Sequence, residues 1–136
     1  MSRSVTVSFS TVGGTGAGLG RSASGHSLIA DRPRATAGGT GLGFNGAELL
    51  AASLGGCFWN DLHAAAQENA PDFLVQHLEA RVELAGDPPR VVRARLAARL
   101  GGADEPTLAQ LFETARDGSI IANSLRPAFH VIFERL

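Results

Sequence analysis

The sequence has one cysteine, Cys57, in the stretch Gly55-Gly56-Cys57-Phe58-Trp59, and it carries the most chemistry of any side chain. A thiol attacks as its thiolate, which needs a cation, a helix N-terminus or a base beside it. The residues around Cys57 have a helical pattern, and the thiol sits some ten residues into that helix, beyond the reach of the end dipole. A reactive Cys57 therefore requires a partner such as an arginine from elsewhere in the fold or from another subunit. On composition alone, a buried and inert cysteine is the plainer reading. One cysteine also excludes an internal disulfide and a Cys-rich zinc site, and it suits a reducing compartment.

Other motifs are weaker. Gly41-Leu42-Gly43-Phe44-Asn45-Gly46 matches the glycine spacing of dinucleotide-binding loops. Such a loop follows a buried strand, and here the preceding residues are Arg-Pro-Arg-Ala-Thr-Ala-Gly-Gly. His26, His63, His77 and His130 are scattered and give no metal-ligand spacing, so neither a metal nor a cofactor is expected. All twelve basic residues are arginine and there is no tyrosine. Schiff-base lysine, P-loop lysine and tyrosine acid chemistry are thereby excluded.

The net charge of −1 and pI near 6.4 give no electrostatic footprint for nucleic acid or an anionic membrane surface. No apolar run reaches the roughly 20 residues of a membrane span, and the opening MSRSVTVSFS has no signal-peptide stretch. The expectation is one soluble, cytoplasmic domain over residues 1–136, with 44% hydrophobic residues for its core.

The elements that must position Cys57 follow from periodicity. Val5, Val7 and Phe9 alternate with serine and threonine and predict a half-buried strand. A glycine-rich turn region over 13–20 follows, which reads as a hairpin or a mobile loop, then a short strand at 26–30 and a long loop over 32–46, of the kind that is often functional. Residues 46–69 predict the main helix, apolar nearly all round in its first half. Gly55 and Gly56 each cost it about 1 kcal/mol relative to alanine, which predicts close approach of another backbone. Leu78 to Leu84 and Val92 to Leu100 predict an antiparallel hairpin, its outer face carrying paired glutamates and arginines. Asp104 predicts an N-cap with Pro106 in the first turn, for a helix ending near Gly118. Ser119 then caps a short helix, Ser119–Leu125, and alternation over 127–136 predicts a last strand. This order is α+β with an antiparallel or mixed sheet.

The stretch from Asp31 to Leu62 resembles the OsmC/Ohr family, thiol peroxidases and their relatives. The family has an aspartate-proline loop with paired glycines, then a helix of pattern P-x-E-L-L-x-A-A-x-x-x-C. Glu48-Leu49-Leu50-Ala51-Ala52 and Cys57 match it. The strand with Gly25-His26 and the tail fit as well. A second family cysteine heads a short C-P-V-S-N-x-L helix, which corresponds here to Ser119 through Leu125.

The resemblance implies antiparallel or mixed sheets wrapped around long central helices in an intertwined homodimer, with the site at the subunit interface. It implies a thiolate at Cys57 that attacks an organic hydroperoxide and becomes a sulfenic acid. An arginine stabilises that thiolate: Arg21 first, Arg34 second. A glutamate at the start of the helix holds the arginine. Glu48 stands nine residues before Cys57, whereas the family's glutamate stands ten before, where this chain has Ala47. The resolving cysteine is replaced by Ser119, for which a helix N-cap is an adequate role. A two-cysteine cycle is therefore closed to a single chain.

Three readings follow. Cys57 is a one-cysteine peroxidase thiol that an external thiol resolves; or the interface pocket binds a small apolar molecule and Cys57 is structural; or Cys57 is an acyl-transfer nucleophile. The last needs a base, and His63 stands about 240° round the helix from it.

Overall fold

The computed structural model describes residues 1–136, which fall into two compact units, Met1–Leu49 and Leu50–Leu136. No helix is long and apolar enough to cross a membrane.

The N-terminal unit is an antiparallel meander of β1 (Val7–Thr11), β2 (Gly18–Ser22) and β3 (Ser27–Ala30). Of the two expectations for the glycine-rich region, a hairpin or a mobile loop, the hairpin is what forms: β1 and β2 pair antiparallel, and β2 starts inside that region at Gly18. The sequence Gly-Leu-Gly-Arg-Ser has little strand preference of its own, but Phe9 on β1 faces Gly20 in the register. A β-carbon at Gly20 would come within 2.8 Å of the Phe9 ring, so the glycines make room for that ring. β1 departs from expectation too. It is exposed along its whole length, with Val7 48% and Phe9 56% accessible, rather than half-buried. Ala17 is the one hydrophobic residue of this unit that is buried.

The C-terminal unit contains the core. Helix α1 (Gly46–Ala66) begins at the last residues of the N-terminal unit and stops three residues short of the expected end. Strands β4 (Leu74–Ala85) and β5 (Arg90–Gly101) form the predicted hairpin. Helices α2 (Glu105–Gly118) and α3 (Ile120–Leu125) lead to β6 (His130–Arg135), which pairs parallel with β5. This sheet is mixed, and the class is α+β, with two three-stranded sheets and three helices.

Leu54, Phe58 and Leu62, spaced by four along α1, are fully buried. They pack with Ala94, Leu96 and Ala98 of β5, Leu108 and Phe112 of α2, and Val131 of β6. Phe58 makes edge-on contacts with Phe112 and Phe133 at 5.4 and 5.0 Å between ring centres. Such a side chain contributes several kcal/mol, roughly 3–5 on truncation to alanine. This packing fixes the roll of α1, and so fixes which way Cys57 faces. Gly55 also has a packing reason: a β-carbon there would meet Ala80 Cβ at 3.1 Å and Leu78 Cδ2 at 3.4 Å. The close approach is by side chains of β4, not by another backbone, and Gly56 faces open space.

The outer face of the sheet carries the expected charge pairs. Arg93 binds Glu83 at 2.7 Å, and Arg95 reaches both Glu79 and Glu134. Asp104 caps α2 by accepting from the Thr107 N–H at 2.9 Å, which holds the Asp104 carboxyl below its ordinary value.

Candidate active site

Cys57 is a free, partly exposed thiol on α1. One turn on, the carboxylate of Asp61 accepts a hydrogen bond from the thiol, with Sγ to Oδ2 at 3.6 Å. The i, i+4 spacing on a helix brings such a pair together without help from other elements. The sulfur also accepts a hydrogen bond. Ser119, at the junction of α2 and α3, donates from Oγ to Sγ at 3.8 Å.

The Ser119 side chain corrects the expectation of a helix cap. Ser119 occupies the N-cap position of α3, but its hydroxyl makes no capping bond. It is fully buried, and its partner is the sulfur. A buried hydroxyl without a partner is costly, and the thiol sulfur of Cys57 is only a weak acceptor for it. Ser119 is brought there by Leu111, Phe112 and Ala115, which seat α2 in the core, and by buried Ala122 on α3.

The remaining residues singled out in the sequence lie in the N-terminal unit. Arg21 is exposed on β2, opposite Ser8 and Ser27 in the register. Arg34 is exposed on the long loop after β3. That loop is closed by Asp31, a buried carboxylate that accepts from the N–H groups of Arg32, Thr40 and Leu42 and from the Thr40 hydroxyl. The Thr40 hydroxyl and the Leu42 amide are the main reasons the Asp31 carboxyl is lowered from 3.8 to about 2. Within the loop, Ala35 and Ala37 take positive φ angles of 67° and 44°, a conformation alanine adopts at some cost.

Glu48 belongs to a capping box. Its side chain accepts from the Asn45 N–H at 3.0 Å, and its own N–H donates to Asn45 Oδ1 at 2.9 Å. Two free amides at the start of α1 are satisfied reciprocally. Neither Arg21 nor Arg34 forms an ion pair with Glu48. His63 is engaged elsewhere: Nδ1 lies 2.9 Å from the Trp59 carbonyl oxygen, and the ring packs beside Trp59 and Phe73. No group of three or more His, Cys, Asp or Glu side chains converges on a point that could hold a metal ion.

The structure therefore brings Cys57, Asp61 and Ser119 together. Asp61 was not singled out as a site residue, although its spacing from Cys57 marks it as a neighbour on the helix. Residues 39–134 match the family described as OsmC-like protein.

The chain belongs to the OsmC-like protein family. Solved structures agree in fold. This OsmC-like chain superposes on a Psychrobacter arcticus 273-4 protein described as an osmotic stress induced and detoxification response protein with a TM-score of 0.76 at 22% identity, covering 100% of this chain and 98% of that one. An OsmC-like protein of unknown function from Vibrio cholerae O1 biovar eltor gives 0.74 at 20% identity, with both chains covered completely. The organic hydroperoxide resistance protein OhrB of Bacillus subtilis gives 0.67 at 22% identity, covering 96% of this chain and 98% of that one. No curated protein sequence matches the chain.

Proposed function

We propose that this OsmC-like protein reduces small organic hydroperoxides as a one-cysteine thiol peroxidase in oxidative-stress defence, with Cys57 as the attacking thiol. The observation that carries the reading is the pairing of a partly exposed Cys57 with a buried hydroxyl, Ser119, at 3.8 Å. The hydroxyl stands where the resemblance puts a resolving thiol.

Chemically, the sulfur attacks the terminal oxygen of the hydroperoxide, an S–O bond forms and the O–O bond breaks. The thiol becomes a sulfenic acid and the hydroperoxide leaves as an alcohol. Ser119 has no thiol with which to close a disulfide. An external thiol therefore attacks the sulfenic sulfur and expels water, and a second one releases Cys57 as a thiol and departs in a disulfide. A thiol-rich cytoplasm suits that cycle, and no cofactor enters it.

Arg21 is the cation we assign to the developing thiolate, with Arg34 as second choice, and Glu48 is assigned to holding that arginine. We assign the working unit to a homodimer. The support is physical: an N-terminal unit of 49 residues with a single buried hydrophobic side chain has too little core to be stable alone, and Val7 and Phe9 of β1 lie open for a second copy.

A second reading has its own observation. The charged group beside the thiol is the carboxylate of Asp61, not a cation. That suits a protein that binds a small apolar molecule and keeps Cys57 as a structural thiol.

Consumption of cumene hydroperoxide in the presence of a low-molecular-weight thiol separates the two. Under the first reading the wild-type protein consumes it and Cys57→Ser falls to the uncatalysed rate. Equal consumption by both proteins rejects it.

A further inference from the structure

We infer that Asp61 is the general base that takes the proton from Cys57 as the sulfur attacks. The inference rests on the reading of Cys57 as a nucleophile and adds a residue to it. Three observations support it. The Asp61 carboxylate lies 3.6 Å from the sulfur, with the thiol as donor. Asp61 forms no ion pair and no other side-chain hydrogen bond, so this oxygen is free to receive a proton. Both residues stand on α1 one turn apart, next to the fully buried Phe58 and Leu62, which hold that stretch of helix to the core. The geometry is that of a nucleophile within hydrogen-bond reach of a base on a rigid element.

The step balances. The S–H proton passes to Asp61 Oδ2 while the sulfur electron pair forms a bond to the terminal hydroperoxide oxygen. The O–O bond breaks and its electrons leave on the alkoxide, which takes a proton from solvent. Asp61 then returns its own proton to solvent. Ser119 serves the same sulfur differently: its hydroxyl hydrogen bond stabilises negative charge as it develops there.

The test compares wild type, Asp61→Asn and Asp61→Glu in their second-order rates with cumene hydroperoxide and with iodoacetamide. Iodoacetamide reads proton removal from Cys57 independently of any peroxidase activity. Asp61→Asn is expected to slow both reactions about 100-fold, within the usual range for losing a positioned base. Asp61→Glu, which keeps the carboxylate, is expected to recover most of that loss, whereas a purely structural role predicts no such rescue. Alkylation of the wild type is expected to be slower in heavy water, because a proton moves in the attacking step.

If Asp61→Asn is alkylated as fast as wild type or faster, the role of Asp61 is overturned, whatever cumene hydroperoxide does. If that variant does not fold, the wild-type isotope effect decides: a rate in heavy water equal to or above that in light water overturns the inference. If cumene hydroperoxide leaves Cys57 untouched while alkylation depends on Asp61, the peroxidase reading fails and the base stands.

Discussion

Ser119 Oγ lies 3.8 Å from Cys57 Sγ, and Ser119 is fully buried. A residue from the α2–α3 junction thus meets a residue from the middle of α1 across the core. This contact ties the partly exposed thiol to the packing of the C-terminal unit. The side chain that meets the sulfur is a hydroxyl, which cannot form a disulfide with it.

Ser119→Cys tests that relationship. The introduced thiol is expected to close a disulfide with Cys57 once a hydroperoxide oxidises the latter. Non-reducing mass spectrometry then shows an oxidised chain lighter than the reduced one by one hydrogen molecule, with no sulfenate to trap. A variant that instead accumulates a trappable sulfenate separates the two positions in the working protein.

Glu48 has a structural role that is separable from the one proposed for it. Glutamine can serve the same capping box. Glu48→Gln is therefore expected to leave thermal stability within about 0.5 kcal/mol, whereas Asn45→Ala loses about 1 kcal/mol with the cap. If Glu48 also holds the thiolate's arginine, Glu48→Gln lowers the hydroperoxide rate by about tenfold or more without that stability loss, since a hydrogen bond to a charged group is worth roughly 1.5–3 kcal/mol. Unchanged turnover in this variant removes Glu48 from the chemistry and leaves it as a cap.

Much of this arrangement is legible in the sequence, and the exceptions have physical reasons. β4, β5 and the Asp104 cap are plain because strict alternation and a side-chain cap are local signals. Helix α1 is plain for the same reason, and its contact between Cys57 and Asp61 could have been read from their spacing. β2 is only half legible, since the glycines allow a hairpin or a mobile loop and the choice is made by Phe9 covering Gly20, a contact between different strands. The exposure of β1 is hidden because alternation marks an apolar face without saying what covers it. Ser119 misleads because the sequence does show an N-cap position; that its hydroxyl turns to the sulfur is decided by how α2 and α3 seat in the core. Asp31 is quoted in the family stretch, yet its closing of the loop depends on Thr40 and Leu42, nine and eleven residues away.

Asp31 gives a prediction with a definite sign. Its carboxyl is lowered to about 2 from 3.8 in the folded chain. A lowered acid stabilises the fold above its ordinary value, and that contribution is lost as the pH falls through the folded value. Protection of the Thr40 and Leu42 amides from hydrogen exchange is therefore expected to hold down to about pH 4 and to decline toward about pH 2. In Asp31→Asn the protection is lower from the outset and lacks that acid step. A wild-type loop whose protection is already lost at about pH 5 contradicts the assignment.

The N-terminal unit predicts an assembly. Sedimentation equilibrium is expected to give twice the 14.1 kDa of the chain. Phe9→Ser, on the exposed strand β1, is expected to shift the protein toward the chain mass if β1 lies in the contact. A wild-type protein that sediments at the chain mass at micromolar concentration contradicts the homodimer.

The most direct test of the central claim is intact-mass spectrometry of the reduced protein, treated with one equivalent of cumene hydroperoxide and a sulfenate trap. The account predicts a rapid trap adduct that maps to Cys57 and is absent from Cys57→Ser. A thiol that stays reduced, with no adduct anywhere in the chain, contradicts a peroxidase role and favours the protein that binds a small apolar molecule.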